Sequence, residues 1–216
     1  MRDAFHEDLD SINQTLVDMS ALVADAMGRA TTALLTANLE LAEEVIAEDD
    51  RIDAIQHELD NKTLDVMARQ QPVASDLRNL VTSLRMSADF ERMGDFGHHV
   101  ARIARMRYPQ SAVPAELAPT IQAMGDVAVA LINKVTGLLQ SRDISVALEV
   151  ERDDDEMDKL HRKLFELLLD DAWSHGIETA IDMTLLGRYY ERCADHAVSV
   201  SRRVYFLVTG EYAEKN

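Results

Sequence analysis

Residues 89–95 read Asp-Phe-Glu-Arg-Met-Gly-Asp, and residues 189–195 read Tyr-Tyr-Glu-Arg-Cys-Ala-Asp. The two stretches lie 100 positions apart and keep glutamate, arginine and the last aspartate in the same order and spacing. On a helix, residues four apart share a face, so each stretch presents two carboxylates side by side. Two unit charges about 6 Å apart repel by roughly 3 kcal/mol at an effective dielectric of about 20. A repeated pair of this kind indicates an internal duplication and suggests that a positive group lies beside each copy.

The composition predicts an all-α fold. The chain has 216 residues, 47% of them apolar, which is typical of a folded globular protein with one or two domains. Only 8 glycines and 4 prolines leave few turns, and the alternation of β-branched residues that marks strands is scarce.

The net charge of −17 restricts the possible partners. Phosphate groups repel such a chain, which argues against nucleic acid and anionic lipid surfaces and favours divalent cations or basic protein faces. No run approaches the roughly 20 apolar residues of a membrane span, and the N-terminus lacks the apolar core of a signal peptide. The one cysteine, Cys193, cannot form an internal disulfide. We therefore expect a cytoplasmic protein without direct membrane insertion.

Apolar spacing predicts two tandem three-helix bundles of long antiparallel helices. In the first repeat, residues 1–108, the predicted helices run from about 2 to 37, from 39 to about 70, and from about 74–76 to the break at Tyr108-Pro109. In the second repeat, residues 115–208, they run from about 115 to 140, along a stretch that follows Asp143, and from the break at 174–176 to about 208. Asn38 and Asp143 are the predicted N-caps of the second and fifth helices. Residues 209–216 are expected to form a frayed polar tail. Whether the two repeats share a core is left open by the sequence.

The buried positions predicted on the second and fifth helices correspond at an offset of 105, and those on the third and sixth at an offset of 100. The second helix carries Val45, Ile52 and Leu59, and the fifth carries Val150, Met157 and Leu164. The third carries Met86, Phe90, Met93, Gly97, Val100 and Ala104, and the sixth carries Leu186, Tyr190, Cys193, Ala197, Val200 and Val204.

A second carboxylate pair accompanies the first in each repeat. Asp49 and Asp53 lie on the predicted second helix, and Asp154 and Asp158 lie on the fifth. Because each of these helices is joined by a short turn to the helix that carries the Glu-Arg stretch, four carboxylates per repeat are expected to meet on an exposed flank. The predicted metal ligands are Asp49, Asp53, Glu91 and Asp95 in the first repeat, and Asp154, Asp158, Glu191 and Asp195 in the second. Iron, zinc, manganese, magnesium and calcium are the candidate divalent or trivalent ions.

Simpler interpretations of the same residues remain open. With 39 acidic residues, chance supplies several such pairs, and a run of charge is often only a solvated helix face. Arg92 and Arg192 most simply neutralise neighbouring carboxylates. Cys193 lies on the apolar stripe and is expected in the core. His99 and His196 fit a surface or an interface.

The Glu-x-x-His motif of di-iron bundles does not occur in the chain. The nearest approaches are Asp95-x-x-His98 and Asp158-x-x-His161, which fall on different helices and have no counterpart in the other repeat. No serine–histidine–aspartate set or phosphate-binding loop appears either, so we predict that the chain is not an enzyme.

The ordered set of four acidic motifs resembles the PhoU family, and residues 70–78 resemble that family's turn into its third helix. The likeness covers nearly the whole chain, with Cys193-Ala194 standing where the first repeat has Met93-Gly94. It implies tandem three-helix bundles that bind multinuclear metal clusters on acidic patches and form homodimers. It also implies negative regulation of phosphate uptake and starvation signalling through the phosphate ABC transporter ATPase and a sensor histidine kinase.

Two further functions remain possible on the sequence. One is a carboxylate-bridged metalloprotein that stores metal or has ferroxidase-like activity. The other is a helical scaffold whose acidic residues only confer solubility.

Overall fold

The structure, a computed structural model, describes residues 2–211, without the side chains of residues 2 and 3. Six α-helices make up this part of the chain, and it contains no strand. They are α1 (Arg2–Thr36), α2 (Leu39–Gln70), α3 (Ala74–Arg107), α4 (Ala118–Ser141), α5 (Ile144–Leu168) and α6 (Gly176–Thr209). The all-α prediction is confirmed, whereas most of the predicted polar tail lies outside the described residues.

The predicted caps begin α2 and α5. The side chain of Asn38 accepts a hydrogen bond from the Leu41 amide at 3.1 Å, and that of Asp143 accepts one from the Ser145 amide at 3.0 Å. α2 ends at Gln70 because the next residue, Gln71, takes a left-handed conformation and Pro72 follows it. These local signals explain why the helix boundaries were readable from the sequence.

The start of α4 was predicted three residues too early. We expected the helix from Ala115, but it begins at Ala118. The carbonyl of Pro114 accepts hydrogen bonds from the amides of Leu117 and Ala118, which makes a separate turn. Pro119 then occupies the first turn of α4, where its missing amide hydrogen costs no helical hydrogen bond.

The two repeats share one core. α1 packs on α3 and α4, and α6 packs on α3 and α4, so these four helices form the centre of the molecule. α2 contacts only α1 and α3, and α5 contacts only α4 and α6. The Tyr190 ring is fully buried in this centre, and its hydroxyl lies 2.9 Å from that of Thr31 in the other repeat. The positions named above on α2, α3, α5 and α6 are all buried, as their spacing predicted.

Candidate cation sites

Two groups of acidic side chains lie along the two seams where α2 and α5 pack against the rest of the bundle. The first quartet (Asp49, Asp53, Glu91, Asp95) spans the seam between α2 and α3, and the second quartet (Asp154, Asp158, Glu191, Asp195) spans the seam between α5 and α6. No member is fully buried: Asp158 and Asp195 are exposed, and the other six are half-buried. The prediction that the acidic residues lie outside the packed interior is confirmed.

Glycines bring the helices of each seam close together at the quartets. A Cβ atom added at Gly94 would lie 3.0 Å from Cδ1 of Ile52 and 3.7 Å from Oδ1 of Asp49. In the second repeat, a Cβ atom at Gly187 would lie 2.8 Å from Cδ2 of Leu164. Gly94 corresponds to Ala194 rather than to Gly187. The two seams therefore reach a similar closeness through glycines at different positions.

The carboxylates of the first quartet raise one another's proton affinity. Burial raises the pKa of Asp49, and the charges of Asp95 and Asp53 add to the effect, whereas His98 opposes it. Burial also raises the pKa of Glu91, with Asp95 as the next cause and Arg92 acting against it. The four carboxylates are therefore near enough to influence one another's pKa.

The second quartet contains the carboxyl group whose pKa rises most, Asp154. Burial raises the pKa of Asp154 to about 6, and Asp158, Asp195, Asp155 and Glu191 add to the rise. Four of these five acids are the predicted ligands of the second repeat. A cation placed among them would relieve both the repulsion and the desolvation.

The arginine in contact with the quartet occupies different sequence positions in the two repeats. Arg92 contacts Asp95 at 2.9 Å, as expected. In the second repeat Glu191 is paired with Arg188 at 2.6 Å, whereas Arg192 approaches Nε2 of His196 at 3.5 Å. Arg188, one turn before Glu191, is thus the arginine in contact with this carboxylate, and the charge of Arg192 lowers the pKa of Glu191 as a smaller cause.

Each quartet also has a histidine, which the sequence interpretation set aside. Nδ1 of His98 on α3 lies 2.6 Å from Oδ2 of Asp49 on α2, although the approach does not have hydrogen-bond geometry. His161 on α5 lowers the pKa of Glu191 on α6, and its Nε2 atom is buried without a hydrogen-bond partner. The two histidines come from different helices of their repeats. The two histidines are therefore not counterparts in the duplication, and comparing the repeats does not identify them. The Asp-x-x-His spacing is the only sequence signal that marks them.

The other candidate residues have packing roles. Cys193 is fully buried, and burial raises the pKa of its thiol to about 12, so it is no nucleophile. His196 donates from Nδ1 to Asp89 on α3 at 3.0 Å, and His99 lies against the Tyr189 ring with 5.1 Å between ring centroids. Both histidines thus lie at the interface between the repeats, one of the two settings expected for them.

The donor types suit a hard cation, but the ligands are not yet gathered around one point. Across residues 2–211, no three histidine, cysteine or acidic side chains are close enough together to enclose an ion. Arg92 and Arg188 each pair with a carboxylate of a quartet, and Nδ1 of His98 lies beside Asp49. Carboxylates that repel one another turn to such partners, so a metal would have to draw them back.

Among the described residues, none of the helices combines the length and the apolar character that crossing a bilayer requires.

Comparison with known proteins gives consistent matches over both repeats. The PhoU domain matches the chain twice, over residues 16–104 and 121–204. The chain is 46% identical over 212 residues to a Mycobacterium tuberculosis protein named phosphate-specific transport system accessory protein PhoU homolog 2, covering 98% of this chain and 100% of that protein. A Mycobacterium leprae protein named PhoU homolog 1 is 45% identical, with 99% and 96% covered.

Two crystal structures share the architecture. PhoU from Pseudomonas aeruginosa superposes with a TM-score of 0.84 at 26% identity, covering 96% of this chain and 100% of that one. The phosphate transport system regulatory protein PhoU from Streptococcus pneumoniae superposes with a TM-score of 0.85 at 22% identity, covering 98% and 100%. The second likeness concerns the fold alone.

Proposed function

This chain belongs to the PhoU family, and from that membership we propose that it is a negative regulator of phosphate uptake and of phosphate-starvation signalling. The observation that carries the proposal is the full-length identity of 46% to a protein named as an accessory of phosphate-specific transport. We further propose that the chain works in the cytoplasm without catalysing a reaction, as a homodimer. Its partners in this proposal are the ATPase of the phosphate ABC transporter and a sensor histidine kinase.

Deletion of the gene tests this regulatory role. A negative regulator restrains uptake and starvation genes when phosphate is plentiful, so the deletion strain should express both in phosphate-rich medium, and a plasmid copy should restore repression. Expression that stays low after deletion would contradict the proposal.

A pull-down tests the proposed partners. From cells grown at high and at low phosphate it should recover the transporter ATPase or the sensor kinase. Light scattering of the purified protein reports whether it is a dimer.

We also propose that each quartet holds a divalent or trivalent cation on the bundle's outer edge. The residues that would hold it are the eight predicted carboxylates, with His98 and His161 beside them. The proposal is supported by oxygen donors from two facing helices and by the raised pKa of Asp49, Glu91, Asp154 and Glu191, for each of which burial is the largest cause. A bound cation would supply the positive charge that these carboxylates lack.

Metal analysis of two matched variants tests the cation sites. One variant replaces the four acids of the first quartet by their amides, and the other replaces four exposed acids on α1 and α4 in the same way. After incubation with manganese and desalting, only the first variant should lose metal by mass spectrometry. Equal metal content in both would contradict the site. Ferroxidase activity that disappears with the quartets would instead support the metalloenzyme alternative.

A further inference from the structure

A groove between α3 and α6 stands out on this acidic protein because no carboxylate lines it. Its lining residues are Thr82, Arg85, Ser199, Arg202, Arg203 and Phe206. Three arginines and two hydroxyls thus surround a space of about 180 Å³, with an aromatic ring beside them. Water in bulk takes about 30 Å³ per molecule, so the groove has room for one small oxyanion with a few waters but not for a nucleotide.

The arginines on α6 are held in place without using their outer donors. Arg203 donates from Nε to Oδ2 of Asp89 at 2.7 Å, and Arg202 donates from Nε to Glu151. Asp89 is only 7% exposed, and its other oxygen accepts from His196. Neither guanidinium donates a hydrogen bond from its terminal nitrogens within residues 2–211. The two carboxylates therefore orient these arginines and leave the terminal nitrogens available.

The remaining groove residues also have unused donors. Arg85 has no ion pair or hydrogen bond in the described part of the chain, and the hydroxyls of Thr82 and Ser199 likewise have no partner there. Arg78, one turn before Thr82 on α3, lies over the Phe206 ring at 5.0 Å and adds a fourth positive charge to this seam. Asp89 and Glu151 pair with two of these arginines, and Arg202 also borders depressions that contain Asp154 and Asp195, but the groove itself is lined by three arginines and no carboxylate.

Three of the groove residues differ from their counterparts in the other repeat, so the groove is not a repeated feature of the duplicated fold. The counterparts of Thr82, Arg85 and Ser199 in the other repeat are Asp182, Leu185 and His99. At that end of the α3–α6 seam, Asp182 accepts from Nε of Arg107 at 2.5 Å, and Glu178 also pairs with Arg107. Arg107, whose own counterpart is Leu207, is thus paired with two carboxylates at that end of the seam, whereas the groove donors are unpaired at the other end.

We propose that this groove binds a phosphate group, either as the free ion or as a monoester. Arginine forks match the planar faces of a phosphate, and hydroxyls complete its tetrahedral set of partners. Ser199 and Arg202 also border a depression that contains Asp154 and Asp195 of the second quartet. The phosphate site and the second candidate cation site are therefore neighbours. The inference concerns binding by the purified chain and does not depend on the regulatory role.

Titration calorimetry with two variants on the same helix tests the proposal. Inorganic phosphate and phosphoserine are titrated separately at constant ionic strength. R85Q removes a groove charge, whereas R105Q removes an exposed and equally unpaired charge from α3 about 30 Å away. Both arginines are exposed, so both variants should keep the wild-type melting temperature.

We expect saturable binding of at least one probe to the wild type and to R105Q, and binding weaker by about tenfold or more to R85Q. Ser199→Ala should weaken it severalfold. Binding of phosphate alone identifies the free ion as the ligand, and binding of phosphoserine alone identifies an ester on a larger partner. Absence of saturable binding for both probes, or equal affinities of R85Q and R105Q, would overturn the proposal.

Discussion

Replacing Asp154 by asparagine should stabilise the protein in metal-free buffer at neutral pH. Asp154 is half-buried among four other acids, and its pKa is raised from 3.8 to about 6. A carboxyl whose pKa is higher in the folded than in the unfolded state disfavours folding once it is ionised. The wild type therefore carries a penalty that is absent below about pH 4, grows as the pH passes from 4 to 6, and is complete above that window.

The size of the penalty follows from the pKa. A tenfold change in a protonation constant is worth about 1.4 kcal/mol, so the full rise would correspond to about 3 kcal/mol. Solvent screens a half-buried carboxylate, which reduces the expected effect to about 1 kcal/mol. The asparagine variant should gain about 1 kcal/mol at pH 7.5, roughly half of that at pH 5, and almost nothing at pH 4.

Urea unfolding at the three pH values, with a chelator present, measures these differences. Asp10→Asn on α1 is the matched control, because it removes one exposed acidic charge from a helix that carries no member of either quartet. If Asp154→Asn is destabilising at pH 7.5, or if its gain does not change with pH, the electrostatic account of the second quartet is refuted. With manganese added, the order should reverse, since the wild type gains a bound ion and the variant does not.

Three other perturbations address the scaffold. Arg107→Met leaves Asp182, which is 3% exposed, without its partner, so the free energy of unfolding in urea should fall by about 2–3 kcal/mol, and no change would contradict the contact. Asn38→Ala removes the cap of α2 and should cost about 1 kcal/mol in the same assay, unless the cap is not formed. Cys193 should react with a thiol reagent only in denaturant, because burial raises the pKa of the thiol to about 12; rapid labelling of the native protein at pH 8 would show that the centre is open.

The quartets illustrate a conflict between the stability of the empty bundle and its proposed ability to bind a cation. Carboxylates at facing positions on adjacent helices lower the stability of the empty bundle, and Arg92 and Arg188 offset only part of that cost. A bundle selected for stability alone would place lysine at one of these positions. The same arrangement becomes favourable when a cation or a basic partner occupies the edge, which is why we regard the strain as a sign of function.

Local signals in the sequence were sufficient to predict the six helices, their buried faces and the outward position of the eight acidic residues. Helix formation, capping and the facing of residues four apart depend on neighbours in the chain, so Asn38, Pro72 and the stripe through Phe90 could be interpreted without coordinates. The start of α4 was misplaced because the Pro114 turn and a helical first turn have similar local signals.

Only the tertiary structure decided how the two repeats meet and what that meeting creates. Helix rotations and side-chain directions determine the shared core, the contact of His98 with Asp49, the pairing of Glu191 with Arg188, and the arginine-lined groove between α3 and α6. Helix rotations are set by packing between residues that are distant in the chain. Side-chain directions depend on which of several similar ion-pair partners lies nearest in the folded bundle. Periodicity places a residue on a face, but the physical partner of that face is fixed only when the whole bundle is assembled.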